Sequence, residues 1–176
     1  PIIDLMSGDT GAAIATALYY FRDKFDEITP QISRRADYEL DRRIIQDYRN
    51  HTDYWWMGFM GDRKEQLNNW NPWICSNWLT AVLILEEDND RRIRSTQKIL
   101  RCLDNFLNPY PRDGGCDEGP GYWSRAGGSL YDCLELLQSA SAGQIDIFDQ
   151  PLIQEMGRFI TRAHISHPYF INFADA

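Results

Sequence analysis

The chain has 176 residues, enough for one domain with a substantial core. Hydrophobic residues make up 43% of it and the formal net charge is -8, which indicates a folded protein and argues against nucleic acid as a partner. No apolar run approaches the roughly 20 residues of a membrane span, so no membrane partner is expected. An acidic ligand stays open, because a local arginine cluster can invert the surface potential.

Six segments carry apolar residues at helical spacing, and most begin at a polar cap or a proline. They run from about 7 to 27, 30 to 49, 72 to 85, 91 to 108, 129 to 139 and 151 to 163. Ser7 or Asp9 is the expected cap of the first helix, and the tail from 164 to 176 is expected to be irregular. Short connections alternate with long ones, which predicts an all-α fold of antiparallel helical hairpins in a single domain.

Four cysteines have no C-x-x-C spacing, so no zinc or redox motif is indicated. Three of them lie in apolar helical segments, where buried thiols are expected. This usage slightly favours a cytoplasmic over a periplasmic location and leaves the compartment open. No nucleotide-binding glycine motif occurs, and no cofactor is expected. The cysteines are Cys75, Cys102, Cys116 and Cys133.

The stretch from 67 to 78 reads Leu-Asn-Asn-Trp-Asn-Pro-Trp-Ile-Cys-Ser-Asn-Trp. Amide groups offer neutral, directional donors and acceptors, and indoles offer flat apolar faces. Sugars present hydroxyls and C–H patches, so this mixture fits a carbohydrate-binding surface. The alternative is that the asparagines cap a helix and the tryptophans fill gaps between helices. The candidate binding residues here are Asn68, Asn69, Trp70, Asn71 and Trp73.

The stretch from 113 to 123 packs four glycines, a proline, three acids and two aromatics into eleven residues, which predicts a shaped, non-helical loop. Glu118 and Tyr122 could form an acid/base pair there. A tyrosine acts as a base at neutral pH only beside positive charge, which Arg112 and Arg125 could supply. The alternative is that Glu118 holds loop amides and Tyr122 packs.

Histidines give weaker signals. His51 precedes an aromatic cluster and could line the same cleft, although a lone loop histidine is commonly just solvated. His164 and His167 are three residues apart, a spacing that can suit a metal, but no third ligand stands out, so no metal site is expected.

Together the two stretches, with the closing segment from 169 to 176, resemble the heparinase II/III-like family of polysaccharide lyases. The resemblance covers the chain from about Tyr54 onward. It implies that the helices form part of an incomplete (α/α) toroid. It also implies that the β-sheet domain that follows the toroid in that family is absent here. Because the chain begins at Pro1, it is expected to be a fragment of a longer protein, with surfaces that contact that missing domain.

The resemblance also implies a chemistry, β-elimination at a uronic acid of an acidic polysaccharide. It assigns Tyr122 as the residue that takes the proton, and an amide from Asn68, Asn69 or Asn71 as the group that neutralises the uronate carboxylate. Asn69 and Asn71 are the catalytic candidates among the amides, and the register between them is open.

Further residues are expected to bind substrate rather than to react with it: Asn68, Trp70, Trp73, Glu118, Trp123, Arg125 and His51. The family's sheet domain supplies a further histidine, so the isolated 176 residues are expected to be inactive. A non-catalytic carbohydrate-binding or structural helical module is the alternative.

Overall fold

The computed structural model describes residues 4–60 and 66–175 and confirms the all-α fold. Consecutive helices joined by short connections pack against each other, the first with the second and the fourth with the fifth. The α-helices are α1 (Leu5–Ile28), α2 (Pro30–Leu40), α3 (Gln46–Asn50), α4 (Trp70–Leu85), α5 (Asn89–Leu107), α6 (Gly119–Tyr122), α7 (Ser129–Ala140) and α8 (Pro151–Ala163). In the part of the chain that the structure describes, no helix is long and apolar enough to cross a membrane.

The N-terminal half follows the predicted helices with two differences. The cap of α1 is Asp4, whose carboxylate accepts from the Ser7 amide at 2.9 Å, so the prediction of Ser7 or Asp9 is wrong by one turn. The predicted second helix is continuous to Asn50 but contains a π-helical turn, Asp41–Ile45, between α2 and α3. A π turn inserts one extra residue, which apolar spacing alone does not reveal.

Helix α4 begins at Trp70, two residues before the predicted start at Pro72. The amides of the first turn need no intrahelical partner, so a proline is tolerated there as well as at the very first position. Because the helix starts at Trp70, both Trp70 and Asn71 belong to α4 and not to the preceding loop.

The stretch from 113 to 123 is only partly the predicted loop. Its second half forms the single turn α6, and a π-helical turn, Ser124–Gly128, then leads into α7. Gly119 makes this possible because its φ is +83° and a Cβ there would lie 2.4 Å from the Phe173 carbonyl oxygen. The backbone turns sharply at this glycine and then becomes helical with Pro120 in its first turn.

The tail contains two short antiparallel strands, β1 (His164–Ser166) and β2 (Tyr169–Phe170), so the prediction of a wholly irregular tail is wrong. Both strands are exposed and too short to show an alternating pattern in the sequence.

The core is organised around α4, which packs against α1, α5 and α7. Its buried residues cover most of its circumference and leave one partly exposed side that carries Trp73, Asn77 and Thr80. All four cysteines are buried free thiols, which confirms that expectation for the three helical ones. Cys75, Cys102 and Cys133 come from α4, α5 and α7 and are fully buried, whereas Cys116 lies in the loop before α6.

Candidate functional site

Two hydrogen bonds join the two motif stretches through Glu118 and Asn69. The Asn69 backbone N–H donates to Glu118 Oε2 at 2.8 Å, and Asn69 Nδ2 donates to Glu118 Oε1 at 2.6 Å. Burial raises the pKa of Glu118, and the two donors from Asn69 oppose that shift. The two stretches, 49 residues apart in sequence, therefore meet at one point.

Tyr122 ends the single turn α6, four residues after Glu118. Glu118 precedes that turn and Gly119 has a φ of +83°, so the regular spacing of helical side chains does not apply between Glu118 and Tyr122. The Tyr122 side chain is 41% exposed. Within residues 4–60 and 66–175 its hydroxyl makes no hydrogen bond, so it is accessible to a ligand.

One face of α4 extends this site. Asn69, Trp73 and Asn77 are spaced by four residues and so lie along one side of the helix. Asp9 of α1 accepts from Trp73 Nε1 at 2.7 Å and from Asn77 Nδ2 at 2.6 Å. Arg125 lies on the Trp73 indole, with its Cζ 4.1 Å from the ring centroid. This contact brings a cation from the turn after α6 onto the same face of α4.

The charge of Arg125 acts on the carboxyl group of Asp132 in α7. Burial raises the pKa of Asp132, Glu135 adds to the shift, and Arg125 opposes it.

A pair of tryptophans borders the site. Trp55 and Trp70 have ring centroids 5.2 Å apart and planes inclined by 45°, and Trp55 is 46% exposed. The Asn68 side chain accepts from the Trp70 amide at 3.1 Å and so fixes the start of α4. The exposed indole surface is available to a ligand, while Asn68 serves its own backbone.

Asn71 is in the core rather than at the surface. It is 0% exposed, and its Nδ2 donates to the Trp56 carbonyl at 2.8 Å and to the Cys102 carbonyl at 2.9 Å. Both N–H bonds of the amide are therefore used in fixing the segment before α4 to α5. Asn69 is itself only 4% exposed, and of the two catalytic amide candidates it is the one whose side chain contacts Glu118.

Trp123 also has a structural contact. Its Nε1 donates to the Met156 carbonyl of α8 at 2.9 Å, and its indole packs closely over Gly127. This contact joins the residue after α6 to α8, and the expectation that Trp123 binds substrate stays a prediction.

His51 lies apart from the Glu118–Asn69 contact. Its Nδ1 is 2.9 Å from Asp53 Oδ1, and its ring stacks on Tyr54 with centroids 4.9 Å apart. As far as the described residues go, no hydrogen bond or ring contact joins His51 to Tyr122, Asn69 or Glu118. The structure joins Glu118 to Asn69 and Arg125 to Trp73, with Asn69 and Trp73 on one side of α4, and these contacts do not include His51.

Surface hollows lie elsewhere. Two of them, of about 830 and 940 Å³, are lined by α1 with α2, and by α5 with the segment before residue 60. Neither hollow is lined by Tyr122 or Glu118, so the candidate site does not coincide with either of them. Over the part of the sequence with described positions, no group of three metal-ligating side chains occurs, and His164 with His167 has no third partner of that kind.

The sequence interpretation missed Asp9 and Asn77. Asn77 could have been found, because it continues the four-residue spacing from Asn69 and Trp73 within the same motif. Asp9 could not, because its role depends on the packing of α1 against α4.

Comparison with protein-family models finds no match for this chain, and comparison with curated proteins finds none either.

Proposed function

We propose that this chain is the helical, substrate-binding part of a polysaccharide lyase that cleaves uronic-acid-containing glycans by β-elimination. The observation that supports this is the double hydrogen bond between Glu118 and Asn69. It joins the two stretches on which the family resemblance rests, and Tyr122 follows four residues after Glu118 in the second stretch. An amide and an exposed phenol are the group types that the reaction uses, and Glu118 holds the amide.

Asn69 is the neutralising amide in this proposal. One N–H of its side chain is held by Glu118, and an amide nitrogen carries two. The second N–H donates to the uronate carboxylate, where it stabilises the charge that develops as the neighbouring C–H bond breaks. Glu118 acts through Asn69 and is a positioning residue.

Tyr122 is the acid/base residue in this proposal. Its oxygen takes the proton from C5 of the uronate, the electron pair forms the C4–C5 double bond, and the bond from C4 to the glycosidic oxygen breaks. The same phenol returns the proton to the departing oxygen, so the reaction needs no further reactant.

The surrounding architecture is proposed to be part of an incomplete (α/α) toroid. Its support is the pairwise packing of α1 with α2 and of α4 with α5, with α4 at the centre.

The activity test uses a protein that joins these 176 residues to the sheet domain that the resemblance implies. We expect ultraviolet-absorbing unsaturated uronate to be released from an acidic glycan, and the release to fall at least about a hundredfold in Tyr122→Phe, the loss expected for a missing acid/base. Tyr19→Phe is the matched control, because Tyr19 is 68% exposed on α1 and outside the site. Equal rates in the wild type and Tyr122→Phe would refute the proposal.

A non-catalytic carbohydrate-binding module is the second candidate. The exposed Trp55–Trp70 pair favours it, because an indole surface binds sugar faces without any chemistry. It predicts saturable binding of oligosaccharides with no cleavage, and weaker binding in Trp55→Ala. Cleavage that depends on Tyr122 would exclude it. If neither binding nor cleavage occurs, the structural helical module remains.

A further inference from the structure

A second surface of this acidic protein is basic and concave. A groove of about 940 Å³ lies between α5 and the segment before residue 60, and its lining includes Arg49, Arg94, Lys98 and Arg101 against one carboxylate, Asp104. The whole chain has a net charge of -8, so the charge of this groove is opposite in sign to that of the chain as a whole.

Two of these cations are engaged by the protein itself. Arg49 donates to the buried Glu86 at 3.1 Å. Lys98 Nζ donates to the backbone carbonyls of Tyr48, Arg49 and His51, which closes the C-terminus of α3 against α5. The three donors of the ammonium group are therefore used, and Lys98 contributes charge and a rigid wall rather than a free donor.

Arg94 and Arg101 are the available donors. Both are exposed, and among residues 4–60 and 66–175 no carboxylate lies within salt-bridge distance of either guanidinium. They stand seven residues apart on one side of α5, or about 10 Å along the helix axis. Two guanidinium groups at this separation suit an extended ligand with repeated anionic groups better than one small anion.

The rest of the lining suits a sugar. Gln97, Asn105 and Thr52 offer neutral polar groups, and Phe59 and Leu100 offer apolar surface. The segment from 51 to 60 borders both regions, because Thr52 and Phe59 line the groove while Trp55 packs on Trp70 beside the candidate site.

We infer that the α5 groove is a binding site for a carboxylated oligosaccharide, held by Arg94 and Arg101. That an anion binds here follows from the groove alone. The choice of a carboxylated glycan rests on the proposed function, and the groove would then hold a second part of the same polymer.

The test measures binding of an oligogalacturonate to the 176-residue protein by calorimetry. We expect Arg94→Gln/Arg101→Gln to raise its Kd by at least about tenfold, the loss expected from removing charge-assisted hydrogen bonds. The matched control is Arg34→Gln/Arg92→Gln, which removes the same net charge outside the groove and leaves Kd within about twofold of wild type. Circular dichroism checks that both double variants are folded.

Three further probes identify the ligand chemistry. The methyl-esterified oligosaccharide, which lacks the charges, is expected to bind at least about tenfold more weakly. Inorganic phosphate and a single-stranded oligonucleotide of matched charge are expected to compete poorly. The inference is overturned if the wild type does not bind the oligogalacturonate, or if both double variants lose affinity equally. It is also overturned if the ester binds as well, or if phosphate or the oligonucleotide binds more tightly.

The two proposals fail separately. Groove-dependent binding without any elimination would uphold the α5 site and refute the lyase. Elimination that depends on Tyr122, with unchanged binding in Arg94→Gln/Arg101→Gln, would refute the α5 site and uphold the lyase.

Discussion

Asn69 and Asn71 are two residues apart and face different surroundings. Asn69 bonds with Glu118 at the edge of the candidate site, whereas Asn71 bonds with two backbone carbonyls in the core. The residue types and the motif predicted that an amide matters in this stretch. The register could not be predicted, because it depends on where Trp56 and Cys102 present their carbonyl oxygens.

We expect Asn71→Ala to destabilise the fold by about 2–4 kcal/mol, because it removes two buried hydrogen bonds and leaves the Trp56 carbonyl without this donor. Denaturant unfolding measures this change. Asn50→Ala, at the exposed end of α3, is the control and should stay within about 0.5 kcal/mol. A change of that small size in Asn71→Ala would show that the amide is dispensable to the fold.

The partly buried carboxyl group of Glu118 makes the free energy of unfolding depend on pH. Burial raises its pKa in the folded protein, so just above the ordinary pKa of a glutamate the folded state binds more protons than the unfolded state. Stability contributed at this residue therefore decreases as the pH rises through that window, up to the folded pKa.

We expect the free energy of unfolding of Glu118→Gln to lack this decrease, so that its difference from wild type changes with pH between the two pKa values. Urea unfolding at a series of pH values measures it, with Glu87→Gln, an exposed glutamate after α4, as the control. A pH-independent difference between Glu118→Gln and the wild type would contradict the expectation.

At the scale of elements, the sequence predicted the helices but not the structure of the segments that connect them. Apolar spacing and start signals located six helices, and α8 agrees with its prediction at both ends. The one-turn helix α6 and the two strands of the tail depend on contacts distant in sequence, such as Gly119 with the Phe173 carbonyl. Local pattern carries no information about such contacts.

Gly114 is where the motif loop meets α8. Its φ is +75°, and a Cβ there would lie 2.2 Å from the Glu155 carbonyl carbon. We expect Gly114→Ala to cost clearly more than the roughly 1 kcal/mol of an unfavourable backbone conformation, because backbone atoms must also move.

Gly143→Ala is the matched control for Gly114→Ala. Gly143 has a φ of +81° and no neighbouring atom within 4 Å of its added Cβ, so it reports the conformational cost alone. Thermal unfolding of both variants measures the difference. Equal losses would mean that α8 shifts freely away from the loop.

At the scale of the molecule, charge was only partly readable from the sequence. Arg35, Arg42 and Arg43 form exposed ion pairs with Glu39. Arg94 and Arg101 also lie on a helix, but they line the α5 groove. The difference arises from the segment before residue 60, whose path across α5 no periodicity predicts.

The four buried thiols lie in two parts of the molecule, and a thiol reagent can measure the opening of each part separately. Cys75, Cys102 and Cys133 become accessible only when α4, α5 and α7 separate, whereas Cys116 needs only the loop that Glu118 holds to Asn69. We expect an alkylating reagent to label Cys116 first and the other three later and together, as mass spectrometry of the intact protein would record.

Loss of the Glu118 contact, in Glu118→Ala, should accelerate only the labelling of Cys116. If all four thiols react at one rate, the candidate site opens only when the whole domain unfolds. If Cys116 reacts early, its labelling rate reports how readily the candidate site opens. This rate can be measured before any substrate is known.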